Sequence, residues 1–192
     1  MTRPHDAGAV YAALDAHVGT FFEGHALDRV AWDRGPIQRD LPGFAVTRIG
    51  PGPKTDLWVY VSRGAWTASP EVSGHVEFMT LGAVDNPRFP ELVTMTAHYH
   101  VSYPLAAGHT FPIGEPWLPG SLCEHVLVSR PYPFGPAFEV CNFANGHVHI
   151  LWLLPITAAE RELRHRDGLE ALESRCERSG LEYWVPDRAS VV

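Results

Sequence analysis

The sequence lacks most of the marks that would classify it at sight. It holds only three cysteines, Cys123, Cys141 and Cys176, and none forms a CxxC pair. That spacing excludes a disulfide framework and the common zinc-finger patterns. An odd number of scattered thiols suits a reducing cytoplasm, where cysteine serves as a small core hydrophobe. Long apolar runs are missing too. The longest, ILWLL at 150–154, is far too short to cross a bilayer. The opening MTRPHDAGAV shows neither an apolar core nor a cleavage site. A soluble cytoplasmic protein with no membrane association is therefore expected. Positive charge is scarce: 15 Lys and Arg face 22 Asp and Glu, a net charge of -7. General nucleic-acid binding needs a basic face and is excluded on that ground, whereas a basic protein partner would suit such a chain. No repeat and no linker-like stretch divides the 192 residues, so one domain over residues 1–192 is expected.

Glycine and proline, 17 of each, are plentiful. They imply short elements between many turns and disfavour a helical bundle. Asp6 is placed to cap a first helix carrying Val10, Leu14, Val18, Phe21 and Phe22, with Gly24 ending it. From Leu41 the pattern turns strand-like. GFAVTRIG and TDLWVYVSRG flank the turn GPGPK, and GHVEFMTLGA follows a turn at Ser69-Pro70. Residues 90–104 satisfy two patterns at once. Their alternation leans towards a strand, while Pro90-Glu91 suits the first turn of a helix. Strands are expected at 124–129, 138–143 and 147–154, the last two joined as a hairpin by Asn145-Gly146. Thr157 and Glu160 have capping-box spacing, and Asp167-Gly168 breaks that helix. A second helix bears Leu169, Leu172 and Cys176 and ends at Gly180, and LEYWVP reads as a closing strand. The sum is an α+β domain with a mainly antiparallel or mixed sheet flanked by helices.

Catalytic signals are thin. His147 and His149 lie one residue apart on an expected strand, so both face one side and form the best candidate metal pair. A metal-dependent enzyme using them is the alternative reading. His98 and His100 make a second pair, with Glu124-His125 as an acidic neighbour, but on a helix the two histidines would point about 200° apart. There is no HExxH, no GxSxG elbow, and no GK[ST] after GPGPK. No catalytic residue, bound metal or cofactor is expected. Trp58, Trp152 and Trp184 fall in strand patterns and read as core, whereas Trp117, in GEPWLPG, reads as a surface or groove residue.

Six segments in order, TDLWVYVSRG, SGHVEFMTLGA, RFPELVTMTAHYHV, AAGHTFPIGEPWLPGSLCEHVLVSRP, HILWLLPITAAERE and YWVPDRASVV, carry a likeness over nearly the whole chain. Together they resemble the suppressor of fused domain family, and its bacterial single-domain members in particular. The resemblance implies a helix at 90–104, which Pro90-Glu91 supports independently, and a non-enzymatic role. The family's Hedgehog regulator clasps a peptide as an added strand between two domains. This chain stops where the first would end, and Ala68 or Ser69 stands at the acidic peptide-binding position. Bacterial members resemble immunity proteins, which implies a protein partner such as a basic toxin domain. Trp117 and Phe111, in the long loop after the 90–104 helix, are the candidate contact residues. An open sheet edge is the competing surface.

Overall fold

A computed structural model describes residues 7–33, 35–69 and 74–192. The expected Asp6 cap and the Pro70 turn position lie outside them. In chain order the elements are α1 (Ala7–Phe21), β1 (Leu27–Ala31), α2 (Ile37–Asp40), β2 (Ala45–Ile49), β3 (Trp58–Arg63) and a 3-10 turn (Ala65–Ala68). Then come β4 (His75–Gly82), α3 (Arg88–Ser102), β5 (Thr110–Pro112), β6 (Cys123–Ser129), α4 (Pro136–Glu139) and β7 (Val140–Phe143). The chain closes with β8 (Gly146–Thr157), α5 (Ala158–Asp167) and α6 (Leu169–Arg178). This is an α+β fold with mixed strand directions. Its residues gather into two compact units, Met1–Ala106 with Arg130–Trp152, and Ala107–Ser129 with Leu153–Val192.

In the first unit β1, β2, β3 and β4 form an antiparallel meander. β8 then lies parallel to β4, with β7 antiparallel on its other side, and His149 pairs with both Val76 and Val140. Helix α1 buries Val10 and Leu14 against Trp66, Cys141 and Val148. Helix α3 covers the opposite face, where Phe89 stacks on Tyr60 and lies so close to Gly82 that a Cβ there would fall inside the ring. The buried set Phe89, Leu92, Val93, Thr96, Ala97 and His100 follows helical spacing. The alternation that pointed to a strand at 90–104 is coincidental, because burial of this face decides the conformation.

One acid organises the end of β3. Glu77 is fully buried. Its carboxylate accepts N–H bonds from Gly64 (2.7 Å), Ala65 (3.2 Å) and Trp66 (3.4 Å), and the hydroxyl of Ser62 donates to it as well. These amides open the 3-10 turn and have no partner within it. Gly64 reaches them at φ +119°, a region that L side chains rarely adopt.

In the second unit β5 pairs antiparallel with β6, and α5 begins where β8 ends. The capping box forms as expected: Glu160 N donates to Thr157 Oγ1 at 3.2 Å, and Thr157 N to Glu160 Oε2 at 2.9 Å. Thr157→Ala is expected to cost about 1 kcal/mol, read as a shifted urea midpoint at unchanged slope. Glu160 also receives the buried guanidinium of Arg188, at 2.7 Å on each oxygen, which ties the C-terminal segment to α5.

Four expectations are corrected. The LEYWVP segment is no strand: Val185 N donates to Glu182 O at 3.1 Å, so its backbone is satisfied in a local turn. Trp184 is accordingly only half-buried and outside any sheet. The strand expected from 138 starts at Val140, after the short α4. The β7–β8 hairpin forms, but Phe143 pairs with Gly146, so Ala144 and Asn145 make the turn. No non-glycine residue has positive φ among the described residues, which rules out the type I′ turn that Asn-Gly favours.

Candidate binding surface

Among the described residues the histidines do not assemble a metal centre. His147 and His149 share one face of β8 with ring centroids 4.9 Å apart. An acid, Glu139, lies 3.6 Å from His149 and is shared with Arg130 at 3.5 Å. Burial, and then the neighbouring His147, hold His149 below the usual histidine range. His98 and His100 diverge, as a helix requires. His98 turns out to Asp40 at 3.0 Å, and His100 turns in to Ser69 and Leu105. Among the described residues no three of His, Cys, Asp or Glu are grouped to hold a metal. The thiols are equally unsuited to nucleophilic attack. All three are buried, and burial raises each, Cys141 and Cys176 to about 11.

Trp117 and Phe111 both lie in the second unit, but inward. Trp117 is 2% exposed and Phe111 6%. The surface position expected for Trp117 is thereby corrected. The loop folds back along β6, with Ile113 N donating to Glu124 O at 2.8 Å and Trp117 N to Cys123 O at 3.0 Å. Once its backbone is satisfied there, the indole is free to enter the apolar interior. What this loop offers outward is Leu122, 64% exposed.

Sequence reasoning missed β1, whose residues LDRVA are exposed at four of five positions. Among the described residues β1 is the last strand at its end of the sheet and pairs only with β2. Gly50 N donates to Ala26 O at 2.9 Å. In antiparallel alternation this turns Asp28 and Val30 towards β2 and points the N–H and C=O of Leu27, Arg29 and Ala31 outward. Beside that open edge a cleft of about 200 Å³ is lined by Asp15, Val18, Leu27, Asp28, Arg29 and Thr47. Charged side chains set its shape. Asp15 holds Arg29 and Arg63, each at 2.9 Å, and Arg48 spans Asp28 and Asp85, each at 2.7 Å. The hydrogen bond from Arg48 keeps Asp28 below the usual carboxylate range. Exposed pairs of this kind add little stability, so their effect is to fix geometry. A second exposed feature is the outer stripe of α3 and its C-cap residue, where Met95, Tyr99 and Tyr103 recur at helical spacing. The two tyrosine rings stack at 4.9 Å.

Three comparisons bear on this arrangement. The family model described as Suppressor of fused protein matches residues 41–189. No curated protein matches the chain. Among solved structures, a suppressor of fused homolog from Neisseria gonorrhoeae FA 1090 is 32% identical, with a TM-score of 0.82 over 95% of this chain and 96% of that one. The Sufu-Fu complex gives 15% identity and a TM-score of 0.67 over 95% and 92%. Drosophila Suppressor of Fused gives 14% and 0.62, and this chain spans half of its length. The last two likenesses speak for the fold alone.

Proposed function

We propose a role from one premise: the chain belongs to the suppressor of fused family. That role is to bind a protein partner without catalysis, in the manner of an immunity protein that occludes a toxin domain. The observation that carries it is the open edge of β1. Its outward backbone groups are the chemistry that recognises an extended segment of another chain. Support also comes from the Sufu protein solved with Fu. The net charge of -7 would speed capture of a basic partner. Buried, unpaired thiols suit a cytoplasmic setting. Trp117 and Phe111 enter this reading as supports of a second contact patch centred on Leu122.

The test combines capture from the native host, read by mass spectrometry, with edge variants. A basic, toxic protein recovered at one-to-one stoichiometry and silenced by co-expression is the expected result. Arg29→Pro removes an outward N–H without breaking the ladder to β2. It should weaken binding at least tenfold, while Arg29→Val, which keeps the N–H, should not. Equal binding by both variants would move the interface elsewhere, and Leu122→Ala would then be decisive. Turnover of a small molecule with no partner captured would overturn the proposal.

A further inference from the structure

His100 lies 1% exposed at the end of α3, and both ring nitrogens are engaged. Leu105 N donates to Nδ1 at 2.8 Å. Since Nδ1 accepts, the ring proton must sit on Nε2, which faces Ser69 Oγ at 3.0 Å. The same hydroxyl oxygen accepts from Val76 N at 3.1 Å, at the start of β4. One neutral imidazole thus joins three pieces of chain: the segment after α3, the end of the 3-10 turn and the first strand residues beyond it.

We propose that His100 is an acid-released latch, whose second proton unfastens Pro104 and Leu105 from the end of α3. The geometry leaves that proton only one place to go. It must bind Nδ1, where it meets the Leu105 N–H head-on and turns the sole acceptor into a donor. Among the described residues no charge stands ready to stabilise the resulting cation. From β4 the ring faces Phe78 at 5.4 Å, edge to face. Glu77 points to the Gly64 amide, and His75 lies against Trp66. From its own helix, His98 is turned to Asp40. Burial alone accordingly pulls His100 down to about 4. Leu105 is 5% exposed, and its N–H bond to the ring is what the second proton removes. Tyr103 N is held separately, by Tyr99 O at 2.9 Å, so release unfastens the segment without unwinding α3.

Amide exchange on the intact chain between pH 7 and pH 4 tests the latch. Protection at Leu105 is expected to fall by up to about tenfold per pH unit from the ordinary histidine range, about 6.5, down to the His100 titration. The released ring takes its proton more readily than the buried one. The amides of Val59 and Val61 should stay protected. The His100 ring signals, followed by NMR, should titrate where that fall ends. In His100→Asn the pH step at Leu105 should vanish. Leu105 protection that is constant to pH 4 would overturn the proposal. So would its loss in step with Val59 and Val61, or persistence of the step in the variant. Should the variant not fold, the agreement of the ring titration with the end of the amide fall in the native protein decides alone.

Discussion

Replacing Arg188 with alanine is expected to lower stability by about 4 kcal/mol. The guanidinium is buried, with NH1 and NH2 each 2.7 Å from a Glu160 oxygen and further bonds to Pro155 O at 2.9 Å and Ala189 O at 3.1 Å. Glu160 itself is 0% exposed. Without its partner the carboxylate keeps only the N–H groups of Thr157 and Val191, too few to replace water around a buried charge. Removing both side chains together should cost less than removing Arg188 alone, because no orphaned charge remains. Urea unfolding of the single and double variants checks this ordering. The pH dependence carries a sign that can be worked out. Burial pushes Glu160 up, but the Arg188 bond and charge, with the two N–H donors, outweigh it and leave the group below its ordinary value. A lowered carboxylate adds stability above its unfolded pKa, and the gain is lost as pH falls through the folded one. In Arg188→Ala burial is less opposed, so the variant should recover part of its deficit on moving from pH 7 to pH 5. An equal deficit at both values would contradict the role given to Arg188.

Glu77→Ala should be nearly as damaging, at about 4 kcal/mol. It strands the amides of Gly64, Ala65 and Trp66 together with the Ser62 hydroxyl, all on the buried side of the turn. Here the pH sign is opposite. Burial raises Glu77 to about 6 against the pull of its four donors. A raised carboxyl favours the folded state most when protonated, so its contribution is greatest below pH 4.5 and declines as pH rises to 6. Over that window the loss is about 2 kcal/mol. His100, held low, works the other way across an overlapping range. The clean observable is therefore the difference between native protein and Glu77→Gln in thermal midpoint at pH 4.5 and pH 7. No change in that difference would refute the raised value.

What could be read from the residues alone was whatever depends on near neighbours. Thr157 and Glu160 sit three apart, and their reciprocal bonds follow from that spacing. The strands at 45–49, 58–63 and 75–82 came from β-branched runs between turns, and the α3 helix from Pro90-Glu91 together with the family likeness. What escaped depends on partners remote in sequence. Nothing in LDRVA marks a strand, since two of its five residues are charged, and it exists because β2 lies beside it. Trp117 looked like a loop tip until the β6 carbonyls captured its backbone. Nothing local marks Glu77 or Arg188 as a buried charge, because their partners come from other elements. The candidate surface shared this blindness. The loop residues proposed for contact point inward, while the open edge lay in a stretch that carried no signal.

The parallel pairing of β8 with β4 has a consequence for how this chain is made. The meander from β1 to β4 is local and can assemble as soon as it leaves the ribosome. Its neighbour β8 must wait for the whole intervening segment, which includes β5 and β6 of the other unit. Each unit is built from two separated stretches, so neither can be completed before the chain has passed through the other. During that interval the unpaired side of β4 is an exposed template for another strand. Nascent chains halted between β4 and β8 should therefore be the species that chaperones hold and that aggregate when expression is fast.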